Sequence, residues 1–207
     1  MNVLGVILAG GLSTRMHGKD KSLMPLAGLP LIGHALNRLS SQVDRIIINT
    51  NGNHSDFNSF GLPIVSDSIE GFLGPLSGIL AGMDYAAEYG YSHLLTVAAD
   101  TPFFPDDLCQ RLLIDCCKIN IAKTQSIVDQ HNLHPTFGLW DVGLRENLRT
   151  ALMSDMRKVM GFVKKHEWRS ITWIKKDYDP FFNVNTPEDM ENAKIIFTGI
   201  KLSLIHI

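Results

Sequence analysis

The stretch that decides the fold is "VLGVILAGGLSTRMHGKDK", residues 3–21. Its first six residues form an apolar run that predicts a buried strand. Two adjacent glycines follow, and after them come an arginine and two lysines. Glycines let a ligand approach the backbone closely, and the cations suit phosphate groups. The spacing fits neither GxxxxGKS/T nor GxGxxG. We therefore predict a phosphate-binding loop of another type directly after the first strand.

The residues that follow alternate between strand-like and helix-like patterns. Apolar runs at 43–49, 62–67 and 91–100 predict three further strands. Helical spacing at 30–41, at 74–89 and from 105 onward predicts the helices between and after them. Continuous apolar strands that alternate with helices are typical of a mostly parallel sheet covered on both faces. The sequence therefore predicts an α/β fold in the form of a doubly wound, three-layer sandwich.

The pattern changes after residue 118. Residues 126–140 predict two strands or a hairpin, 142–165 predict helices, and 170–176 predict another strand. A final helix is expected to begin at Pro187 with Thr186 as its N-cap. We expect a single domain over 1–199, with a nucleotide-binding half at 1–118 and an acceptor-binding half at 119–199. The last six residues, "LSLIHI" at 202–207, are expected to be a non-native tail, the alternative being an authentic terminal strand or apolar helix end.

Composition excludes several classes of protein. The chain of 207 residues carries a net charge of −2, so it lacks the basic excess of a nucleic-acid-binding protein. No apolar run approaches the roughly 18 residues of a membrane span. Three cysteines, at 109, 116 and 117, have no CxxC spacing and do not predict a zinc site or a disulfide framework. We expect a cytoplasmic protein with reduced thiols.

Polar residues and glycines follow each of the first four predicted strands. Ala9-Gly10-Gly11 follows the first strand, and Asn49, Asp67 and Asp100 stand at the ends of the second, third and fourth. Ligands of such sheets bind at the carboxyl ends of the strands. We therefore expect these residues to line one binding site.

Motifs along nearly the whole chain support a more specific interpretation. They are LAGGxSxRMxxxDK at 8–21, Asn49, Asp67-Ser68, Gly74-Pro75-Leu76-x-Gly78, Asp100-Thr101-Pro102, His134-Pro135-Thr136 and Asn183-Val184-Asn185-Thr186-Pro187. In this order they resemble the signature of the molybdenum cofactor guanylyltransferases. The resemblance implies a Rossmann-like three-layer fold of the nucleotide-diphospho-sugar transferase type. It also implies transfer of GMP from GTP to the phosphate of molybdopterin, with release of pyrophosphate.

The resemblance implies roles for particular residues. Arg15, Lys21 and Asp100 would be catalytic, and Asp100 would also bind Mg²⁺, the expected cofactor. The nucleotide would contact a set of residues at the strand ends: Leu8, Ala9, Gly10, Lys21, Asn49, Asp67 and Asp100. Each of these also has a plain structural interpretation, as a tight turn, a solvated loop charge, a strand-end cap or a turn former.

The acceptor side is less well defined by the sequence. His134, Asn183 and Asn185 are candidate acceptor-binding residues, although a histidine before proline and loop amides can equally be structural. Residues 142–169 contain seven Lys or Arg against three acidic residues. This excess predicts either contact with the anionic molybdopterin, with Arg157 and Lys164 as candidates, or a solvated helix face.

Other functions remain open at this point. A related nucleotidyltransferase could transfer a cytidylyl group to molybdopterin or make NDP-sugars. A non-catalytic GTP-binding or cofactor-carrier protein could use the same scaffold. The expected partners are GTP and molybdopterin as substrates, without nucleic acid or membrane. We also expect a monomer with transient contacts to other proteins of cofactor synthesis.

Overall fold

A computed structural model of the chain describes residues 1–10, 20–71, 74–114, 117–125, 132–175 and 177–205. Its central feature is a seven-stranded sheet. The strands of the sheet are, in chain order, β1 (Val3–Leu8), β4 (Arg45–Asn49), β5 (Ile64–Val65), β6 (His93–Ala98), β7 (Ile119–Gln125), β8 (Asn132–Asp141) and β9 (Trp168–Ile174). A separate antiparallel hairpin joins β2 (Pro25–Leu26) to β3 (Leu29–Pro30).

The order of strands across the sheet is β5-β4-β1-β6-β8-β7-β9. Strands β4, β5 and β6 run parallel to their neighbours on the β1 side, and β9 runs parallel to β7. β8 is antiparallel to both β6 and β7. The carboxyl ends of β1, β4, β5 and β6 therefore lie at one edge of the sheet, as the sequence predicted.

The described part of the chain contains six helices, five of which cover the sheet. The six are α1 (Leu31–Leu39), α2 (Pro75–Glu88), α3 (Leu108–Leu113), α4 (Arg145–Met153), α5 (Val159–Val163) and α6 (Pro187–Ile205). The core has two main parts, one on each face of the sheet: α1 and α3 pack on one face, and α2, α4 and α5 pack on the other. A third, smaller cluster lies between α6 and the segment that leads into α1.

Burial on both faces follows directly from the strand sequences. In β1, Val3 and Ile7 pack with the α1 side, whereas Leu4, Val6 and Leu8 pack with the α2 side. Side chains alternate across a strand, so a strand covered on both faces is expected to be apolar at nearly every position. This is why the central strands are the elements that the sequence predicted best.

Several elements differ in extent from the prediction. β5 is only two residues long, and α3 is shorter than its apolar pattern suggested. β7 was not predicted as a strand, and it is the hairpin partner of β8. Residues 126–131, part of the segment predicted as two strands or a hairpin, lie outside the described residues. One sheet spans both predicted halves of the domain, and α6 continues to Ile205, through part of the expected non-native tail.

None of the helices in the described part of the chain combines the length and the apolar character needed to cross a bilayer.

Candidate active site

A cleft of about 690 Å³ opens at the carboxyl edge of the sheet. Its size is in the range of small-molecule sites, which span roughly 300 to 1,000 Å³. It is lined by the ends of β1, β4 and β6 and by the loops that follow them. The lining residues include Leu8, Ala9, Gly10, Asp20, Asn49, Asn51, Asp67, Asp100, Thr136 and Asn183. Residues that are distant in sequence thus meet in one concave site.

An ion pair lies at the edge of this cleft. The Nζ atom of Lys21 is 2.5 Å from Oδ2 of Asp100, and the two side chains are 17% and 21% exposed. The same ammonium group donates a hydrogen bond of 2.7 Å to Oδ1 of Asn185. The ammonium nitrogen of Lys21 thus contacts both the carboxylate of Asp100 and the amide oxygen of Asn185.

Local structure explains the position of Lys21. The residue begins a short 3-10 turn, Lys21–Leu23, and Asp20 caps this turn. Oδ1 of Asp20 accepts hydrogen bonds from the backbone nitrogen and from the hydroxyl of Ser22, at 2.9 and 2.7 Å. The cap fixes the backbone that carries Lys21.

Asp100 is held between two segments. β6 ends at Ala98, and the next backbone nitrogen, that of Ala99, donates to the carbonyl of Leu8. The carbonyl of Asp100 then accepts from the backbone nitrogen of Val184, in the segment before α6. The end of the sheet and this later segment therefore fix the backbone that carries the carboxylate.

A second polar cluster surrounds Asp67. Its Oδ1 accepts from Nδ2 of Asn49 at 3.0 Å, and its Oδ2 accepts from Nδ2 of Asn51 at 2.8 Å and from Oγ of Ser77 at 2.7 Å. Nδ2 of Asn49 also lies 3.3 Å from the carbonyl oxygen of Val65. The carboxylate is therefore held in one orientation at the wall of the cleft.

Gly78 provides the space for this arrangement. A Cβ atom at this position of α2 would lie 2.2 Å from Oδ1 of Asn49 and 2.9 Å from Cδ2 of Leu8. Real contacts of that length do not occur, so a larger residue would displace the side chain of Asn49. Glycine in the first turns of α2 thus allows the helix to pack directly against the end of β4.

A register shift in the ladder between β7 and β8 accompanies the placement of Thr136. Ile121 pairs with Gly138, but the next residue, Ala122, pairs with His134. The residues between them on β8 interrupt the regular ladder, which is where a proline can be accommodated and where a strand can redirect a side chain. Thr136 lines the cleft at this position.

His134 itself lies beside the cleft in a mostly structural setting. Its ring stacks on Phe181 at 4.5 Å between centroids, and its Nε2 is 2.8 Å from the hydroxyl of Thr124. Burial lowers its pKa below the ordinary value of 6.5, although the charge of Asp179 acts in the opposite direction. The stacking on Phe181 and the contact with Thr124 give this ring a structural role beside the neighbouring strand.

Comparison with known proteins identifies the family. The chain matches the MobA-like NTP transferase domain over residues 5–169. It is 43% identical over 195 residues to the molybdenum cofactor guanylyltransferase of Bradyrhizobium sp. (strain ORS 278), covering 93% of this chain and 92% of that protein. It is 42% identical over 193 residues to the protein of that name from Nitrobacter hamburgensis, covering 92% of each chain.

The chain belongs to the MobA-like NTP transferase family. It is a nucleotidyltransferase. The structure also resembles the molybdopterin-guanine dinucleotide biosynthesis protein A of Archaeoglobus fulgidus, with a TM-score of 0.71 and 20% identity over 95% of this chain and 99% of that one. This structural match confirms the predicted α/β sandwich of the nucleotide-diphospho-sugar transferase type.

The fold brings most of the predicted site residues of this MobA-like transferase together. Leu8, Ala9, Gly10, Asn49, Asp67 and Asp100 all line the cleft, and Asn183 lies there as well. Lys21 and Asn185 meet at the carboxylate of Asp100. Arg15 lies outside the described residues. The roles assigned to these residues remain predictions.

The basic stretch of the transferase is less concentrated than its sequence suggested. Arg145 and Arg149 of α4 point to Asp84 of α2, at 3.7 and 2.5 Å. Arg157 pairs with Asp155, and Lys164 is an exposed residue at the end of α5. None of these cations is among the described residues that line the cleft. Some of these cations therefore form ion pairs that hold α4 against α2.

Sequence reasoning missed several residues of the cleft. They are Asp20, Asn51 and Thr136, which line it, and Ser77 and Gly78, which lie against the lining residues Asp67 and Asn49. Four of them fall inside the family motifs of this transferase, but a motif does not say which of its members contacts another residue. Asn51 had a different signal, because it lies two residues beyond Asn49, in the loop that continues from β4.

Proposed function

We propose that the protein transfers GMP from GTP to the phosphate of molybdopterin, releases pyrophosphate and uses Mg²⁺. The observation that carries this proposal is the contact between Lys21 and Asp100 at the edge of the cleft. It provides a cation for the phosphates beside a carboxylate suited to a metal ion. The names of the relatives supply the substrates.

The reaction needs positioning and charge neutralisation more than covalent chemistry from the protein. A phosphate oxygen of the acceptor attacks the α-phosphorus of GTP, and the bond from that phosphorus to the bridging oxygen of the leaving group breaks. The negative charge leaves with pyrophosphate. Because the attacking phosphate is already ionised, no base has to remove a proton. This agrees with the setting of His134, whose ring stacks on Phe181 and whose Nε2 contacts the hydroxyl of Thr124.

The residues of the cleft have separate tasks in this scheme. The backbones of Leu8, Ala9 and Gly10 line the cleft where a nucleotide would lie, and Asn49 and Asp67 offer polar groups to its nucleoside. The ammonium group of Lys21 would stabilise the charge that develops as pyrophosphate leaves. We extend the same task to Arg15, which follows the glycines of the predicted phosphate-binding loop.

The donor set near Asp100 fits Mg²⁺. This ion binds through one or two carboxylates and completes its shell with phosphate oxygens and water. Asp100 supplies one carboxylate, and the amide oxygen of Asn185 lies on the same ammonium group. Within the described residues no group of three or more acidic, histidine or cysteine side chains forms a cage for a metal. Bound there, the ion would neutralise phosphate charge.

The acceptor would enter from the side of the cleft formed by Thr136 and Asn183. Asn185, His134, Arg157 and Lys164 are further candidates for contact with molybdopterin. We also propose a cytoplasmic monomer that meets other proteins of cofactor synthesis transiently.

A nucleotide panel tests this function. We expect formation of the guanine dinucleotide product and release of pyrophosphate with GTP and molybdopterin, and little product with CTP, ATP or UTP. Asp100→Ala should reduce turnover by at least about a hundredfold, since the lost group acts on transition-state charge. GTP should still bind to this variant. Preference for CTP, or full turnover by Asp100→Ala, would contradict the proposal.

The opposite edge of the sheet offers a matched control. Lys118 and Asp141 form an ion pair of the same 2.5 Å length, far from the cleft. Lys118→Ala should leave the transfer rate unchanged, whereas Lys21→Ala should lower it strongly. Equal losses in the two variants would indicate an effect of ion pairs on the fold and not on the reaction.

A further inference from the structure

The carboxylate of Asp67 is nearly saturated by protein donors. A carboxylate accepts about four hydrogen bonds, two on each oxygen. Asn51 and Ser77 both donate to Oδ2, at 2.8 and 2.7 Å, and Asn49 donates to Oδ1 at 3.0 Å. Among the described residues, these three donors occupy both positions on Oδ2 and one on Oδ1, which leaves one position on Oδ1 for a ligand in the cleft.

Asn51 holds Asp67 from two sides. Its Nδ2 donates to the carboxylate, and its Oδ1 accepts a hydrogen bond of 2.9 Å from the backbone nitrogen of Asp67. One side-chain amide thus connects the backbone and the carboxylate of the same residue. This closed ring restricts rotation of the Asp67 side chain, although both residues face the solvent-filled cleft.

Ser77 fixes the same oxygen from the other direction. It lies in the first turn of α2, is 2% exposed, and its hydroxyl also lies 2.8 Å from the carbonyl oxygen of Gly74. A hydroxyl has one proton to donate, and the carboxylate of Asp67 is the nearer and stronger acceptor for it than the carbonyl of Gly74. Asp67 is therefore clamped between the loop after β4 and the start of α2.

We propose that Asn51 and Ser77 are positioning residues that turn Oδ1 of Asp67 toward the nucleoside and limit it to a single hydrogen bond there. The proposal rests on the proposed function, in which the cleft binds GTP. The donor is an N–H of the base or a hydroxyl of the ribose. A free carboxylate could accept from the adjacent N1–H and N2–H groups of guanine together, but a clamped one accepts from one donor only.

A double-mutant cycle on nucleotide binding tests the positioning role. We expect Asn51→Ala to weaken GTP binding about tenfold, as for loss of a hydrogen bond to a charged group. Its kcat should stay within about twofold of the wild-type value, because the nucleoside does not change charge in the reaction. In the Asp67→Ala background, Asn51→Ala should change the affinity by less than about twofold.

Other outcomes of the double-mutant cycle separate a positioning role of Asn51 from a direct one. A full tenfold loss from Asn51→Ala in the Asp67→Ala background would overturn the proposal, because Asn51 would then act on the nucleotide or on the fold without Asp67. Ser77→Ala should behave as Asn51→Ala does. Asn51→Asp keeps the shape but replaces the donor by a like charge, so it should weaken binding at least as much as Asn51→Ala.

Asn53→Ala provides the control within the same loop. Asn53 is an exposed asparagine that bonds to the backbone of Ser55 and to Asp56, away from Asp67. Its replacement should leave the affinity for GTP unchanged. A loss equal to that of Asn51→Ala would mean that any change in this loop disturbs the cleft, and would contradict a specific role of Asn51.

Nucleotide analogues test the limit to one hydrogen bond. N1-methyl-GTP lacks the N1–H group of GTP, ITP lacks its N2 amino group, and 2′-deoxyGTP lacks one ribose hydroxyl. Asp67→Ala should remove the preference of the protein for GTP over at most one of these analogues. Loss of two of these preferences would contradict the limit. The double-mutant cycle is run with whichever nucleotide the wild-type protein binds best. A preference for CTP would refute the proposed function, but the cycle would still test the role of Asn51.

Discussion

Gly78 is the residue at which packing and the candidate site depend most directly on each other. Its missing side chain lets α2 approach both Asn49 and Leu8, and each of these lines the cleft. An added methyl group would lie only 2.2 Å from the amide oxygen of Asn49. That amide is one of the donors that hold Asp67. A change at Gly78 should therefore propagate to the nucleoside end of the site.

We expect Gly78→Ala to destabilise the fold by about 1 to 3 kcal/mol, because the helix or Asn49 has to move. GTP binding should weaken together with stability. Urea unfolding and titration calorimetry measure the two effects. The control is Gly199→Ala in α6, where an added Cβ atom has no neighbour within 4 Å. Unchanged GTP affinity in Gly78→Ala would show that Asn49 can move without consequence.

At the scale of elements, the residues that cap α6 also position a contact of the ion pair between Lys21 and Asp100. The hydroxyl of Thr186 accepts from the backbone nitrogen of Asp189 at 3.1 Å. In return, Oδ2 of Asp189 accepts from the backbone nitrogens of Thr186 and Asn185, at 2.8 and 2.9 Å. This is a capping box, with Thr186 at the predicted N-cap. It fixes Asn185, whose side chain contacts Lys21.

The charge state of Asp189 supports the cap. Burial acts to raise its pKa, but the hydrogen bonds from Asn185 and Thr186, together with the charge of Lys21, outweigh burial and hold the pKa below its ordinary value. The carboxylate therefore stays ionised, and an ionised group is the better acceptor for two backbone nitrogens.

Thr186→Ala should lower the free energy of unfolding by about 1 kcal/mol, which is the usual cost of losing an N-cap side chain. Thr186→Ser should retain most of the stability because it keeps the hydroxyl. Thermal and urea unfolding provide the measurement. Thr198→Ala is a suitable comparison on the same helix, since that hydroxyl bonds only to the carbonyl of Lys194 among the described contacts. A loss no larger than in Thr198→Ala would argue against the cap.

Elements also differed in how well the sequence predicted them. The central strands are mostly apolar and were found, whereas β7 was missed. β7 contains the buried polar residues Asn120 and Thr124. Asn120 is satisfied by a hydrogen bond of 2.6 Å from its Nδ2 to the carbonyl of Leu112. Such a partner is decided by tertiary packing and leaves no signal in the local pattern.

For the whole molecule, two half-buried histidines make stability depend on pH. Burial lowers the pKa of His93 and of His134 below 6.5, although nearby carboxylates act in the opposite direction. The unfolded chain binds protons at about pH 6.5, but the folded chain binds them only at lower pH. The contribution of these two histidines to the free energy of unfolding is therefore fully present above about pH 6.5, and it is lost as the pH falls toward the lowered pKa values.

We expect the free energy of unfolding to fall between pH 7.5 and pH 5.5. His134→Gln should make this dependence shallower, because one group that binds a proton only in the unfolded chain is removed. Urea unfolding at several pH values measures the slope. His54→Gln is the comparison, since His54 is exposed on a 3-10 segment. A slope as steep in His134→Gln as in the wild-type protein would refute this explanation.

The sequence by itself determined the parallel strands, the positions of Asn49, Asp67 and Asp100 at their carboxyl ends, and the N-cap of the last helix. These follow from local rules, because side-chain periodicity and cap geometry depend on neighbouring residues only. Tertiary structure decided that Lys21 meets Asp100 and Asn185, that Asn51 and Ser77 clamp Asp67, and that Arg145 and Arg149 bind Asp84. Those contacts join residues 10 to 164 positions apart. Their geometry exists only once helices and strands pack, because packing alone sets which side chains face each other.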